Sequence, residues 1–299
     1  QQTQQAFVEH AGRRWLRTLP CYYLLLTVNV LLYDQDFPGH RDYYLFLQNF
    51  TSPMSAAMMP ESWSLTVEEW FYLLFPALLV AACGGGRSHM HVFLAITMLF
   101  IVTPLAARVG VAVLLDPVTT TPQWDVQFRK VACLRLDAIA WGALLAWLVT
   151  CHRELVFGNR HALFIAGAAV LLLVLYSTSW GHFPYQSTLY FSLVGASLAM
   201  MLPRFIFLAS MHPLATAITR NISTTSYSAY LLHGLVLATL QRHLDTAPAL
   251  TYLLYFGGTL LMANILYRAW ERPFMKLRES LPLLRRDDDA NRTSTFVIR

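Results

Sequence analysis

Long apolar runs separated by short polar segments dominate this chain. Because about 20 mostly apolar residues cross a bilayer, the pattern predicts eight membrane spans, at residues 18–33, 63–83, 91–115, 131–150, 161–178, 185–203, 224–241 and 249–268. Each span is expected to be a helix, since backbone exposed to lipid must satisfy its own hydrogen bonds. The stretch 205–218 is too short to span, and we interpret it as an interfacial or re-entrant helix. The sequence therefore predicts an all-α fold, a polytopic membrane helix bundle of about eight transmembrane helices.

Composition supports this fold class. Hydrophobic residues make up 56% of the 299 residues and charged residues only 13%, whereas a soluble domain is about 25% charged. The four cysteines have no CxxC or Cys/His spacing, so we expect free thiols and no metal site. The segment 84–86 (GGG) is expected to be a tight loop. We divide the chain into a transmembrane domain, 1–279, and a polar tail, 280–299, that is expected to be disordered.

The distribution of Lys and Arg predicts the orientation. With the first segment placed in the cytoplasm, the cytoplasmic segments hold 16 of the 22 Lys and Arg residues and the opposite side holds four. The remaining two, Arg108 and Arg135, fall inside spans. The positive-inside rule therefore predicts that both chain ends are cytoplasmic.

A pair of adjacent carboxylates, Glu68 and Glu69, lies inside the second predicted span. On a helix, Glu68 shares a face with Ser64 and Tyr72, and Glu69 leans away from it. A carboxylate at that depth could handle protons or bind a substrate hydroxyl. The alternatives are a structural ion pair or a position near the headgroups.

Three further segments place polar groups at helical spacing. Arg14 and Arg17 could bind an anionic cofactor at the cytoplasmic surface, or they could be a positive-inside anchor. Arg135 and Asp137 do not face each other on a helix, so each needs a partner elsewhere. Arg135 is expected to pair with Glu68 or Glu69, and the nearby Gly142 is expected to permit close helix packing.

The third segment is 225–237, where Ser226, Tyr230 and His233 form one polar stripe on an apolar helix. Histidine titrates near neutrality and can move protons, but a lone helical His is also often a hydrogen-bonded core residue. The end of the last span, 268–278, contains Glu271 and then basic residues, as expected for a helix end with a membrane-surface flank. We find no nucleotide, zinc-protease or serine-hydrolase motif.

These segments, in this order, resemble the membrane-bound acyltransferase 3 family of bacterial O-acyltransferases. The most specific is WSLTVEEWFYLLFP at 63–76; the others are RRWLRTLP at 13–20, CLRLDAIAWGALLA at 133–146, SYSAYLLHGLVL at 226–237 and ERPFMK at 271–276. The resemblance covers residues 10 to 278. It implies transfer of an acyl group, commonly acetyl, from acyl-coenzyme A to a hydroxyl of a cell-envelope or secreted carbohydrate, such as a polysaccharide or lipopolysaccharide, at the bacterial inner membrane.

The resemblance also implies residue roles. Arg14 and Arg17 would bind the phosphates of acyl-coenzyme A. Glu68 and His233 are the candidate catalytic residues. The pore-lining groups would be Ser64, Tyr72, Arg135 and Tyr230. No metal is expected.

The chain departs from the family pattern in one respect. The family has ten spans and opens with a helix whose His is the presumed general base, and we find no such helix here. His10 precedes the Arg-rich segment and is not assigned that role. We therefore expect that the first two helices are missing and that this chain alone is inactive.

Two other functions remain open at this point. A transporter or flippase for an envelope glycan would share the charges inside the spans but need no coenzyme site. An inactive family member could serve as an assembly partner.

Overall fold

The computed structural model describes residues 2–33, 39–54, 59–83, 89–114, 118–178, 183–206, 213–243 and 248–281. Within these ranges the chain is helical and has no strand. The helices are α1 (Gln2–Tyr33), α2 (His40–Tyr44), α3 (Trp63–Cys83), α4 (His89–Leu114), α5 (Thr121–Trp124), α6 (Asp137–Cys151), α7 (Arg153–Gly158), α8 (Arg160–Ser177), α9 (Phe183–Thr188), α10 (Tyr190–Phe205), α11 (Pro213–His243), α12 (Pro248–Leu266) and α13 (Arg272–Ser280).

Short 3₁₀ turns at Pro60–Ser62 and Ala132–Leu134 precede α3 and α6, and π-helical turns at Asp125–Arg129 and Tyr267–Glu271 follow α5 and α12. The predicted loop at 84–86 and nearly all of the predicted tail, 282–299, lie outside the described residues.

The fold class is confirmed. Six helical segments in the described ranges are long and apolar enough to cross a membrane: Ala11–Leu32, Pro60–Ala82, His89–Leu114, Ala132–Cys151, Arg160–Ser177 and Ala249–Ser280. They correspond to six of the eight predicted spans. Of the other two, α10 is apolar but only 16 residues long, and 224–241 falls inside α11, which does not reach the same apolar character.

The predicted start of the first span is wrong. The span was expected to start at residue 18, but α1 is already helical from Gln2 and has 32 residues. Of the interfacial or re-entrant helix expected at 205–218, residues 207–212 lie outside the described part. Residues 213–218 form the first turns of α11, where Pro213 fits because the missing N–H of a proline needs no partner in the first turn of a helix.

The chain divides into two compact units, which we describe separately. The first unit combines Gln1–Gln35 with Pro213–Arg299, and the second is Asp36–His212. In the first unit, α1 packs against α11, the second π turn and α13. Two long-range hydrogen bonds fix this packing: the Tyr227 hydroxyl donates to the Thr18 carbonyl at 2.8 Å, and Trp270 Nε1 donates to the Pro20 carbonyl at 3.0 Å.

An aromatic cluster forms the centre of the second unit, where α3, α4 and α6 meet. Phe71 and Phe75 of α3 stack with ring centroids 5.0 Å apart, and Phe100 of α4 meets both of them edge-on. Tyr72 packs against the same cluster. The face of α3 that was predicted to be polar therefore also carries much of the core of this unit.

Glycines permit close packing in the second unit, but not the predicted one. A Cβ on Gly142 would meet nothing within 4 Å, so Gly142 is not a packing glycine. A Cβ on Gly167 of α8 would lie 2.6 Å from the Ser197 carbonyl oxygen of α10. A Cβ on Gly195 of α10 would lie 2.4 Å from the Trp141 ring of α6. The close approaches occur where α10 meets α8 and α6.

Candidate functional site

A buried ion pair between Arg108 of α4 and Asp137 of α6 lies in the second unit. Arg108 Nη1 and Nη2 donate to the two oxygens of Asp137 at 3.0 and 2.8 Å, and both residues are fully buried. Nη1 also donates to the Leu134 carbonyl, Nε to the Thr188 carbonyl at 2.9 Å, and Nη2 to the Ser192 hydroxyl at 2.6 Å. All five N–H donors of the guanidinium are thereby used.

Two sequence predictions concerned the partners of Asp137 and Arg135; the structure confirms the first and contradicts the second. Asp137 does find a partner on another helix, namely Arg108. Arg135 does not pair with Glu68 or Glu69 as expected. The ionisable groups that act on Arg135 are Asp137, Arg108, Arg129 and Tyr190. The physical reason is that Arg135 lies at the turn before α6, beside aromatic rings rather than opposite the carboxylates of α3.

Aromatic rings hold the Arg135 guanidinium. Its Cζ lies 3.8 Å from the centroid of the Phe191 ring and 5.7 Å from that of the Trp63 ring. The face of an aromatic ring attracts a cation, but it does not accept the in-plane N–H groups of a guanidinium. Arg135 Nε is buried and has no hydrogen-bond partner among the residues that the structure describes.

A second cationic group lies beside the same tryptophan. Arg129 Cζ is 5.1 Å from the Trp63 ring centroid. Arg129 and Lys130 both pair with Asp125, Lys130 at 2.8 Å. Burial raises the pKa of the Asp125 carboxyl, but the hydrogen bonds and charges of these two partners outweigh that effect, so the pKa lies below its usual value. Arg129, Lys130 and Arg135 thus form a cationic cluster in which one carboxylate, that of Asp125, pairs with two of the three cations.

Asn49 ties the parts of this cationic cluster together. Its fully buried side-chain amide donates to the Trp63 carbonyl at 3.1 Å and to the Lys130 carbonyl at 2.5 Å. The backbone carbonyl of Asn49 accepts a hydrogen bond from the backbone N–H of Ala132 at 2.8 Å. The segment around Asn49 thus holds the start of α3 against the segment that carries Arg129 and Arg135.

The α3 residues predicted for the site all lie in the second unit. Ser64, Glu68 and Tyr72 are half-buried, whereas Glu69 is 8% exposed and is the more buried of the two adjacent carboxylates. Ser64 is in the turn directly after Trp63, so α3 places it one residue from the cationic cluster. Glu68 follows it by four residues on the same helix face.

Arg14 and Arg17 lie on α1 in the first unit, three residues apart as predicted. Arg14 is half-buried and Arg17 is exposed. The spacing places both on neighbouring positions of one helix surface. Arg17 also acts electrostatically on Glu271, the buried carboxylate at the end of the second π turn.

A buried polar contact next to these arginines was not predicted. The Ser228 hydroxyl of α11 donates to Glu271 Oε2 at 2.8 Å, and both side chains are buried. Cys21 of α1 is a buried free cysteine in the same unit. Within the described ranges, Glu271 Oε1 is buried and has no hydrogen-bond partner. π-Helical turns often occur at functional sites, and this one places the carboxylate inside the unit.

Tyr230 and His233 of α11 are in the first unit and are half-buried, whereas Ser226 is exposed and bonds its own helix at Ser223. The predicted stripe is therefore reduced to Tyr230 and His233, whose ring centroids are 5.6 Å apart. His233 Nδ1 lies 2.5 Å from the Tyr230 carbonyl oxygen. Because a carbonyl only accepts, Nδ1 carries the proton, and in the neutral ring Nε2 keeps a lone pair able to take one.

An apolar groove runs along α1 in the first unit. Its volume is about 670 Å³, and it is lined by Trp15, Leu16, Leu19 and Tyr23 of α1 together with Trp270 and Phe274. The lining residues of α1 extend from Gly12 to Thr27. The groove thus follows the membrane-crossing part of the helix that carries Arg14 and Arg17.

The structure assigns the predicted site residues to two groups. Arg14, Arg17, Tyr230 and His233 belong to the first unit. Ser64, Glu68, Tyr72 and Arg135 belong to the second unit. Sequence reasoning missed Arg108 as the partner of Asp137, although its position inside a span was the signal that could have found it. Asn49 and Ser228 gave no such signal.

A comparison with known protein families matches residues 3–268 to an acyltransferase domain. No curated protein and no solved structure matches the chain. The matched residues span all of the candidate site residues in both units and all but the end of the last candidate membrane span. The chain belongs to the acyltransferase 3 family and is a multi-pass membrane acyltransferase.

Proposed function

We propose that this protein transfers an acyl group, normally acetyl, from acyl-coenzyme A on the cytoplasmic side of the bacterial inner membrane to a hydroxyl of an envelope carbohydrate. The observation that carries the proposal is the family match together with the Arg14–Arg17 pair at the start of a membrane-crossing helix. A coenzyme A molecule presents phosphate groups, and guanidinium groups bind phosphate in bidentate fashion.

The first unit supports binding of the donor. Arg17 is exposed on α1, and the same helix forms one wall of the apolar groove that ends against Trp270 and Phe274. Cationic groups at the surface and an apolar wall along the same helix suit a molecule with a charged head and a thioester-linked acyl group. We assign Arg14 and Arg17 to the coenzyme phosphates.

The candidate catalytic residues are Glu68 and His233. His233 holds its proton on Nδ1, so Nε2 can accept a proton from an attacking hydroxyl. Glu68 lies within a membrane-crossing helix on the side of Ser64. We assign Ser64, Tyr72, Arg135 and Tyr230 to the polar lining of the path that the acceptor takes.

Binding of acetyl-coenzyme A by the chain in lipid nanodiscs tests this function. We expect saturable binding, measured by calorimetry, that the double variant Arg14→Ala/Arg17→Ala reduces by at least about tenfold, since charge-assisted contacts to two phosphate-binding groups are lost. The matched control is Arg153→Ala/Arg160→Ala, which removes the same charge from another predicted cytoplasmic segment.

A glycan transporter is the competing function, because it shares the charges inside the spans but has no use for coenzyme A. Absence of acetyl-coenzyme A binding in the parent chain would favour the transporter. Equal binding by both double variants and the parent chain would contradict the assignment of Arg14 and Arg17.

A further inference from the structure

Arg135 is a half-buried cation whose N–H groups have no acceptor among the described residues. The five donors of Arg108 in the same unit are all taken by protein acceptors. Arg135 makes no ion pair and no side-chain hydrogen bond in the described part of the chain, and its Nε is buried without a partner. Among the described residues, the carboxylate that acts on Arg135 is that of Asp137, and both of its oxygens are already occupied by Arg108.

Two aromatic rings lie beside the Arg135 guanidinium without accepting its in-plane N–H groups. Its Cζ lies over the Phe191 ring at 3.8 Å from the centroid and is 5.7 Å from the centroid of the Trp63 ring. A stacked guanidinium directs its N–H groups outward in its own plane, in the fork geometry that fits a carboxylate or phosphate. Stacking thus prepares Arg135 for an acceptor that the described protein groups do not supply.

The surroundings of Arg135 add positive charge and further unsatisfied polar atoms. Arg129 shares the Trp63 ring with it, and Arg129 and Lys130 share the single carboxylate of Asp125. Trp124 Nε1 and Gln127 Oε1, on the segment that carries Asp125 and Arg129, are also buried and have no hydrogen-bond partner in the described part of the chain. Buried polar atoms are normally paired, so unpaired ones gathered next to an unpaired cation indicate a place for a ligand.

We propose that Arg135, supported by Arg129 and Lys130, binds an anionic group of the acceptor, and that the acceptor is therefore an acidic carbohydrate. This inference rests on the proposed function, which supplies a carbohydrate as the second substrate. The predicted orientation places Arg129 and Lys130 opposite the side of Arg14 and Arg17, so the coenzyme phosphates and the anion of the acceptor would approach from different faces.

The test measures binding of D-glucuronate to the chain in nanodiscs, in a low-salt buffer free of phosphate and sulfate. D-Glucose is the neutral control sugar. We expect saturable binding of glucuronate and none of glucose over the same range. Arg135→Lys keeps the charge but loses the planar fork, so it should weaken glucuronate binding by about tenfold or more. Arg135→Ala should abolish binding, with an unfolding curve to show that the variant is folded.

Arg153→Ala is the matched control, because Arg153 also lies over an aromatic ring of the second unit, Phe157 at 5.8 Å. It should bind glucuronate as the parent does. Equal binding of glucose and glucuronate, no detectable binding of glucuronate, or undiminished binding by a folded Arg135→Lys variant would each overturn the proposal.

Two further arms separate this inference from the proposed function. In the first, coenzyme A is added as a competitor. If coenzyme A displaces glucuronate, and if Arg135→Lys weakens the binding of coenzyme A, the site belongs to the coenzyme and the acceptor assignment is wrong. Acetyl-coenzyme A binding is measured in the same preparations. Its absence alongside Arg135-dependent glucuronate binding contradicts the acyltransferase proposal but not the anion site, and the reverse result contradicts only the anion site.

Discussion

Removal of the Asp137 carboxylate tests whether the Arg108–Asp137 pair holds the second unit together. Both side chains are fully buried, and the carboxylate receives two of the five guanidinium donors and the Ser192 hydroxyl at 2.7 Å. Asp137→Ala leaves an uncompensated charge in the interior. Breaking a buried pair in this way costs about 3–5 kcal/mol, a large part of the roughly 5–15 kcal/mol that stabilises a typical protein.

The assay is unfolding in mixed micelles, monitored through the loss of the helical signal. The matched control is Asp125→Ala, which removes a carboxylate of the same unit that is partly exposed, at 22% of its side-chain surface. Exposed pairs contribute about 0.2–1 kcal/mol, so Asp125→Ala should cost at most about 1 kcal/mol. A double-mutant cycle of Arg108→Ala and Asp137→Ala should show a coupling energy of about 0.5–3 kcal/mol.

If Asp137→Ala is no more destabilising than Asp125→Ala, the Arg108–Asp137 pair does not hold the second unit together. The same conclusion follows if the Arg108→Ala and Asp137→Ala effects simply add, since two groups that form one pair cannot each be lost independently.

Three other predictions follow from single contacts. Gly167→Ala should lower the free energy of unfolding, because the new Cβ would lie 2.6 Å from a backbone carbonyl oxygen. Gly142→Ala should leave the free energy of unfolding unchanged or raise it by up to about 1 kcal/mol through helix propensity. Denaturant unfolding compares the two variants, and equal effects would contradict the close packing at Gly167. Ser228→Ala should lower the free energy of unfolding by about 1.5–3 kcal/mol, because it removes a hydrogen bond to a buried carboxylate, whereas Ser226→Ala, at an exposed position, should change it very little. The same unfolding assay compares the two variants, and equal effects would refute the buried contact. Because its partners lower the pKa of Asp125, the ionised carboxylate should stabilise the fold above its usual pKa of 3.8, and this effect should disappear as the pH falls through the lower folded-state value. Asp125→Asn should therefore unfold with a different free energy from the parent at neutral pH and with the same free energy in strong acid. A difference that does not change with pH would contradict this.

The membrane helices were predictable because a bilayer imposes one simple rule on sequence. Any helix that crosses it needs a long apolar run, so the runs at 63–83 and 91–115 locate α3 and α4 to within a few residues. Boundaries at the ends of α1 and α11 were not predictable by that rule, because both helices extend into polar sequence. There, intrahelical hydrogen bonds and packing, rather than apolar length, decide where the helix begins.

Pairing between helices could not be read from the sequence. Arg135 and Asp137 are two residues apart, yet one stacks on aromatic rings and the other pairs with Arg108 of α4. Spacing shows which residues share a face of one helix. Which residue of the next helix they meet depends on how each helix is rotated about its axis and how far it is shifted along that axis. Gly142 failed as a packing glycine for the same reason, since a glycine permits close approach only where another backbone is near.

The proposed function places acyl-coenzyme A at Arg14 and Arg17 on the cytoplasmic side of a membrane acyltransferase. A photoreactive acyl-coenzyme A analogue, applied to vesicles of each orientation that contain the chain, tests donor, site and side together. Mass spectrometry should find the label in the peptide around residues 10–20, only in vesicles with the cytoplasmic face outward, and excess acetyl-coenzyme A should remove it. Label that resists this competition, or that lies in the segment of Arg129 and Arg135, would contradict it.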